Sequence, residues 1–170
     1  LQSNSIVHLL WKEFHIKDLG LPIIKPIVYH TKNVCIDNNG INYVVRSKFN
    51  NGIKYKVKKM QNINPAGVIS FGAENATFFY QEDIWISGRD IYYIDTSNLS
   101  KLSSLFLVSV LQTITKKYSY NFGMFPELVK EEIIKLPVDK NNKPDWQYME
   151  NYMKNIISTM QNNLTLFQAA

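Results

Sequence analysis

The spacing of apolar residues divides the chain into a strand-rich segment followed by two helices. From Ile41 onward, short apolar segments alternate with brief polar connections, and no connection between them is long enough to hold a helix. The predicted strands cover residues 41–45, 53–58, 68–71, 77–80, 84–86 and 90–94. Short strands joined without crossover helices favour a curled or barrel-like sheet that is antiparallel rather than parallel.

Two Asn-Asn-Gly segments precede the first two of these strands. Because Asn and Gly tolerate positive φ, residues 38–40 and residues 50–52 each predict a tight turn. Further upstream, the apolar residues between Trp11 and Leu19 predict a strand or one turn of helix, which Pro22 and Pro26 then end.

Two helices are predicted after the strands. The first covers residues 99–118, and the spacing of its apolar positions predicts one face that covers the sheet. These positions are Leu102, Leu105, Phe106, Val110, Leu111 and Ile114. The second helix begins after the polar segment 139–144, where Asp145 is well placed to act as its N-cap.

The second helix carries a regular apolar seam with steps of three or four residues. Its positions are Trp146, Met149, Met153, Ile156, Met160, Leu164 and Phe167. A seam this narrow favours a partner helix, with the first five positions as the predicted contact surface. The alternative is that the helix folds back on its own domain.

The fold predicted from these patterns is α+β. Residues 1–138 are expected to form one domain, a curled and mostly antiparallel β-sheet with a covering helix. Residues 139–170 are expected to form a linker and a coiled-coil-type helix.

Composition agrees with a single soluble domain carrying a small appendage. The chain has 170 residues, of which 45% are hydrophobic and 19% charged. Its one cysteine, Cys35, cannot pair within the chain, which suits a reducing compartment. We find no apolar segment of membrane-spanning length and no signal-peptide pattern at the N-terminus. These features predict a cytoplasmic protein without membrane contact.

Positive charge is concentrated in one interval of the chain. The net charge is +5, and no acidic residue occurs between Asp37 and Glu74. That interval carries Arg46, Lys48, Lys54, Lys56, Lys58 and Lys59. Such a patch favours a polyanionic partner, although a solvated lysine-rich hairpin is an equal alternative on charge alone.

Side chains that catalyse reactions do not form a familiar pattern. His8, His15 and His30 lack metal-ligand spacing, and no cysteine completes a zinc motif with them. The sequence also lacks a nuclease-type Asp followed by Glu-x-Lys or Asp-x-Lys on a predicted strand, and a glycine-rich turn for a methyltransferase cofactor. We therefore expect no metal, no cofactor and no catalysis by this chain. A small nucleic-acid enzyme with a degenerate motif and a β-module that binds protein or sugar are the alternatives.

Several segments, in order, resemble the DNA specificity subunits of type I restriction-modification systems and their relatives. Residues 41–52, Ile-Asn-Tyr-Val-Val-Arg-Ser-Lys-Phe-Asn-Asn-Gly, are similar to a family motif that commonly has glycine where this chain has Val45. Further similar segments are residues 65–72, 76–81, 119–120, 133–139 and 144–149. Together they extend from about Trp11 to Lys154.

The resemblance implies a target recognition domain that reads one half of a split site in double-stranded DNA. It implies catalysis in separate subunits, an adenine DNA methyltransferase and a restriction and translocase subunit. Family members usually carry two recognition domains and two long helices, so this chain resembles a half-subunit, a single-domain relative or an excised piece. Its C-terminal helix is then expected to pair with a second copy or with the methyltransferase.

Residue chemistry indicates which side chains would contact DNA. Lysines alternating along a strand are expected on one face, where they can follow phosphates, whereas Arg, Asn, Ser and Thr can read base edges. We rank Arg46 above Arg89, since Arg89 has Asp90 and Glu82 as neighbouring partners. The predicted contact residues are Arg46, Ser47, Lys48, Asn50, Asn51, Lys54, Lys56, Lys58, Lys59, Ser70, Asn75, Thr77 and Arg89. For Asn50 and Asn51 the alternative role is turn formation.

Overall fold

The computed structural model describes residues 10–74, 76–118 and 122–168. Nine strands and three α-helices lie within these ranges, together with short 3-10 turns. The strands are β1 (Trp11–His15), β2 (Ile23–Ile24), β3 (Ile36–Val44), β4 (Ile53–Val57), β5 (Val68–Gly72), β6 (Phe78–Gln81), β7 (Trp85–Ser87), β8 (Ile91–Ile94) and β9 (Ile133–Pro137). The helices are α1 (Lys101–Leu111), α2 (Pro126–Glu131) and α3 (Trp146–Gln168).

The strands form three small sheets. The largest has the order β2-β8-β5-β6 and is antiparallel throughout, and β1 pairs with β9 in the same sense. The third has the order β4-β3-β7, in which β3 and β7 are parallel. The predicted α+β class is therefore confirmed. The pair of β3 and β7 is the parallel one in this mostly antiparallel arrangement, because strands of the neighbouring sheet supply the crossover that a helix usually makes.

The two Asn-Asn-Gly segments adopt different structures. Asn50, Asn51 and Gly52 have φ values of 49°, 51° and 76°, which confirms a left-handed turn between β3 and β4. The turn predicted at residues 38–40 is wrong, since these residues lie inside β3. Ile36 and Ile41 both lie opposite Val57, which marks a bulge. A Cβ atom on Gly40 would overlap the carbonyl oxygen of Val57, so this glycine permits close strand approach.

The main core lies between α1 and the strands β5, β6 and β8. Phe71 and Phe78 are fully buried there, with ring centroids 5.3 Å apart. Ser100 caps α1 by accepting a hydrogen bond from the backbone N–H of Ser103 at 3.1 Å. The helix continues as a 3-10 turn over Gln112–Lys117, close to the predicted end at residue 118.

The buried face of α1 is rotated from the predicted one. Leu107, which was not among the predicted positions, is fully buried together with Leu111. Leu102, Leu105 and Val110 are only half-buried. The helix is apolar on most sides, so spacing alone did not identify the face that the sheet covers.

Helix α3 packs on the domain at its beginning and projects from it afterwards. Asp145 accepts a hydrogen bond from the backbone N–H of Tyr148 at 2.9 Å, which confirms the predicted N-cap. Met149 is 0% exposed and belongs to the main core, against which Trp146 and Met153 also pack. Ile156 is exposed, and Met160 is 66% exposed. Met149 therefore cannot contact a partner helix as predicted, because it is buried in its own domain.

Strand β9 and helix α2 were not predicted. Strand β9 pairs with β1 from Trp11 opposite Pro137 to His15 opposite Ile133, and α2 precedes it. Their pairing brings the first and last parts of the sheet domain together directly before α3. Within the described ranges, α3 and the other helices are too short or too polar to cross a membrane.

The packing of α3 predicts a contrast between two methionines on its seam. Met149→Ala is expected to lower the free energy of unfolding by about 2–5 kcal/mol, because it leaves a cavity in the core. Met160→Ala, in the exposed part of the same helix, is expected to change it by less than about 0.5 kcal/mol. Urea unfolding of both variants measures this, and equal effects would show that the start of α3 does not pack on the domain.

Candidate nucleic-acid interface

An open cleft of about 430 Å³ lies where three segments of the chain meet. These are residues 29–31 before β3, the connection from β3 to β4, and the residues after β7. The lining residues are Tyr29, His30, Thr31, Tyr43, Val45, Arg46, Ser47, Lys54 and Arg89. This set of described residues contains three cationic side chains and no acidic one, so the cleft is suited to an anion.

Tyrosines build the wall of the cleft. The Tyr43 hydroxyl donates a hydrogen bond to the backbone oxygen of Tyr29 at 2.7 Å, and the rings of Tyr43 and Tyr55 are 5.6 Å apart. The backbone N–H of Tyr29 donates to the oxygen of Ser87 at 2.8 Å. These contacts fix Tyr29 against β3 and β7 at one side of the cleft.

Arg46 is held by two carboxylates beside the cleft. Its guanidinium forms ion pairs with Glu74 and, at 3.4 Å, with Oδ2 of Asp90. The side chain is half-buried. Arg46 thus joins the residues that follow β3, β5 and β7, and its charge is largely compensated within the protein.

Arg89 presents its guanidinium to solvent at the edge of the same cleft. Its side chain is 71% exposed, and its Nε lies 3.2 Å from Oδ2 of Asp90. Asp90 has a left-handed backbone, with φ of 56°, and its carboxylate is shared by the two arginines. Burial raises the pKa of the neighbouring Tyr92 hydroxyl, and the Asp90 carboxylate adds to this rise.

The lysines of the hairpin are exposed but do not form the single row that their alternation predicts. Tyr43 lies opposite Tyr55, whereas Val44 lies opposite Ile53, so the register shifts by one residue at Lys54. Lys54 lines the arginine-containing cleft, with its Nζ 5.4 Å from the Tyr55 ring centroid. Lys56 lines a different depression, beside Asp83. Lys48, Lys58 and Lys59 are exposed as well.

Three of the predicted base-reading residues contribute to the turn itself. The Ser47 hydroxyl accepts from the backbone N–H of Phe49 at 3.1 Å and lies 3.3 Å from its carbonyl oxygen. The Asn50 side-chain amide donates to the carbonyl of Ile53 at 3.0 Å. The backbone oxygen of Asn51 accepts from Gln81 Nε2 at 2.9 Å. Asn50 and Asn51 therefore form the turn, and both side chains remain at the surface.

Two other predicted contact residues, Ser70 and Thr77, lie outside the cleft lining. Ser70 is 1% exposed, and its hydroxyl accepts from Gln81 Nε2 at 2.9 Å, so its predicted contact with DNA is contradicted by burial. Thr77 is half-buried directly before β6. Asn75 and the Ser119-Tyr120 segment lie outside the described residues.

Some residues of the cleft were missed by the sequence analysis. Tyr29, His30 and Thr31 come from an irregular segment, and only the folded chain brings them beside Arg46. Phe49 does not line the cleft but follows Arg46 and Ser47 in the chain, and the sequence shows it as an apolar residue within a polar turn; it is 80% exposed. Among the described residues, no group of three or more His, Cys, Asp or Glu side chains is placed to hold a metal ion.

Comparison with known proteins finds a family model that matches most of the chain. The family described as the type I restriction modification DNA specificity domain matches residues 9–166. The chain is also 28% identical over 136 residues to the type II restriction enzyme BgcI specificity subunit S.BcgI of Heyndrickxia coagulans. The matched region covers 78% of this chain and 40% of that protein.

Two solved structures share the fold at low sequence identity. The type I restriction-modification S subunit of M. genitalium matches 99% of this chain with a TM-score of 0.66 and 13% identity. The HsdS subunit of Thermoanaerobacter tengcongensis matches 99% of it with a TM-score of 0.60 and 11% identity. The chain covers 44% and 42% of those proteins, which is less than half of their length. Because the family match spans nearly all of its residues, this chain belongs to the type I restriction modification DNA specificity domain family.

Proposed function

We propose that this chain is a target recognition domain that reads one half of a split site in double-stranded DNA. The observation that carries the proposal is the cleft that gathers Arg46, Lys54 and Arg89 beside the β3–β4 hairpin. A groove with cationic walls and an exposed guanidinium suits a polyanion that also carries base edges. The family to which the chain belongs is described as a DNA specificity domain, which supports DNA as the polyanion.

The exposed cations divide the work of binding. Lys48, Lys54, Lys56, Lys58 and Lys59 contact phosphates, where release of counterions supplies affinity without sequence preference. Arg89 reads a base edge, because its exposed guanidinium can form two parallel hydrogen bonds to guanine. Arg46 positions the loops around the cleft through Glu74 and Asp90. The proposed order of the two arginines is therefore the reverse of the one that the sequence suggested.

Catalysis belongs to other subunits in this proposal. An adenine DNA methyltransferase and a restriction and translocase subunit act where the recognition domain binds. The projecting part of α3, with Ile156 and Met160 exposed, pairs with a helix of the methyltransferase or of a second copy. The division into a recognition domain over residues 1–138 and a linker and helix over residues 139–170 follows this separation of roles. With this function we expect the chain to act in the cytoplasm.

Selection of bound duplexes from a random pool tests the function and the roles of the cations. We expect one preferred half-site. Arg89→Ala is expected to lose about 1–3 kcal/mol of discrimination at one base pair of it. Lys58→Ala is expected to weaken binding to all duplexes alike and to reduce the salt slope by about one. Binding titrations with single-base variants at several salt concentrations measure both effects.

A matched control for the lysine is Lys140→Ala, which removes an exposed charge from the loop before α3 and should leave DNA affinity unchanged. If the pool yields no preferred sequence, the chain is not a recognition domain. DNA cleavage or methylation by the purified chain would instead favour the enzyme alternative, and the assay for it contains magnesium and S-adenosylmethionine.

Arg46 is expected to act on stability rather than on base choice. Arg46→Ala leaves Glu74 and Asp90 without their shared cation, and we expect a loss of about 1–2 kcal/mol in the free energy of unfolding. Binding should weaken for every sequence by a similar factor. Urea unfolding and the single-base panel are measured together. A variant of unchanged stability that loses discrimination at one base pair would identify Arg46 as a base reader.

The projecting seam of α3 predicts an effect on assembly. Met160→Lys is expected to weaken association with a second copy or with the methyltransferase while the domain stays folded, because it places a charge on the apolar seam. Asn162→Lys adds the same charge on the opposite side of the helix and is the control. Light scattering and co-purification measure association. Equal behaviour of the two variants would show that the seam has no partner.

A further inference from the structure

Phe49 is an exposed aromatic residue at the tip of the β3–β4 connection. Its exposure of 80% is unusual for phenylalanine, which is normally among the buried residues. Its neighbours along the chain are Lys48 and Asn50, so neither adjacent residue is apolar. An apolar ring held out from a polar turn is a feature that folding alone does not require.

The turn holds the backbone of Phe49 in one position. Its N–H donates to the Ser47 hydroxyl at 3.1 Å, and its carbonyl oxygen accepts from the backbone N–H of Gly52 at 2.9 Å. The carbonyl of Gly52 in turn accepts from Val45 N–H at 2.8 Å. Two asparagines with positive φ complete the turn. A contact made by this ring therefore costs little ordering of the backbone.

The position of Phe49 connects it with the proposed DNA surface. It follows Arg46 and Ser47, which line the cationic cleft, and Lys54 of the same hairpin lies on that cleft too. The pairing of β3 with β7 ends at Val44, and beyond it the hairpin consists of two chain segments joined by the hydrogen bond from Val45 N–H to the Gly52 carbonyl. A ribbon of two strands fits the major groove of B-DNA, about 12 Å wide, and not the minor groove of about 6 Å.

We propose that Phe49 enters the major groove and packs against the C5-methyl group of a thymine. This inference rests on the proposed recognition of double-stranded DNA. The thymine methyl is the apolar group among the base edges of the major groove, and phenylalanine is one of the side chains that contacts it. Phe49 therefore adds a requirement for a T·A pair that none of the cationic side chains could supply.

Replacing each thymine of the selected half-site by deoxyuridine tests the proposal, since only the methyl group is removed. For the unmodified chain we expect about a fourfold loss of affinity at one thymine, the value typical of one buried group of this size. Phe49→Ala should bind the thymine and deoxyuridine duplexes equally, whereas Phe49→Leu should retain part of the difference. Phe167→Ala removes another highly exposed phenylalanine, from the end of α3, and should keep the fourfold effect.

The outcomes separate this inference from the function on which it depends. If the unmodified chain selects no sequence, the proposed function fails, and the role of Phe49 fails with it. If the chain selects a sequence but no thymine shows the methyl effect, or if Phe49→Ala shows it as strongly as the unmodified chain, only the role of Phe49 is overturned. Melting curves are expected to be unchanged in Phe49→Ala, because the ring is exposed.

Discussion

The register between β3 and β4 is the constraint on which the candidate surface depends. At one end of the pair, Gly40 lets the strands approach where Ile36 and Ile41 share Val57 as partner. At the other end, the left-handed turn at residues 50–52 reverses the chain. A shift of one residue would turn side chains to the opposite face of the sheet. The two ends together therefore determine which side chains of the hairpin reach the cleft.

The carboxylates around the cleft give its two arginines different roles. Arg46 has two carboxylate partners and connects loops, while Arg89 touches one of those carboxylates and remains 71% exposed. Moving an arginine that is already paired with carboxylates into contact with DNA would gain little binding free energy. Its carboxylates would either lose their partner or repel the phosphates. An exposed arginine beside a fixed carboxylate is oriented but still available. Asp90 thus stabilises one arginine and aims the other.

The sequence predicted features that local chemistry decides. The turn at residues 50–52 and the Asp145 cap were both predicted, because the residues that make them are adjacent in the chain. For the same Asn-Asn-Gly sequence at residues 38–40 the predicted turn is wrong, because the pairing of this segment with Val57 on another strand decides its structure. The burial of Ser70 also depends on Gln81 and Phe79, which the fold brings from β6.

The cleft could not be predicted as a unit for the same reason. Tyr29, Arg46 and Arg89 are separated by long stretches of chain, and only the parallel pairing of β3 with β7 brings them together. The sequence shows a basic interval between Asp37 and Glu74. The most exposed guanidinium of the cleft belongs to Arg89, which lies outside that interval. The charge pattern therefore predicts a polyanionic partner as one of two equal alternatives, and it does not show which cations the fold gathers in the cleft.

Helix α3 has a part docked on the domain and a part that projects from it, and the periodicity of its sequence does not separate the two. The spacing of Met149 and Met160 on the seam is regular, yet one is buried in the domain core and the other projects from it. The Ser103 hydroxyl donates to the carbonyl of Trp146 at 2.9 Å, and Tyr152 meets the edge of Phe106 with centroids 5.7 Å apart. The helix is thus fixed to α1, which covers the sheet. Because the docked and projecting parts are one continuous helix, the direction from which the proposed partner helix has to approach is set by the core of the domain itself.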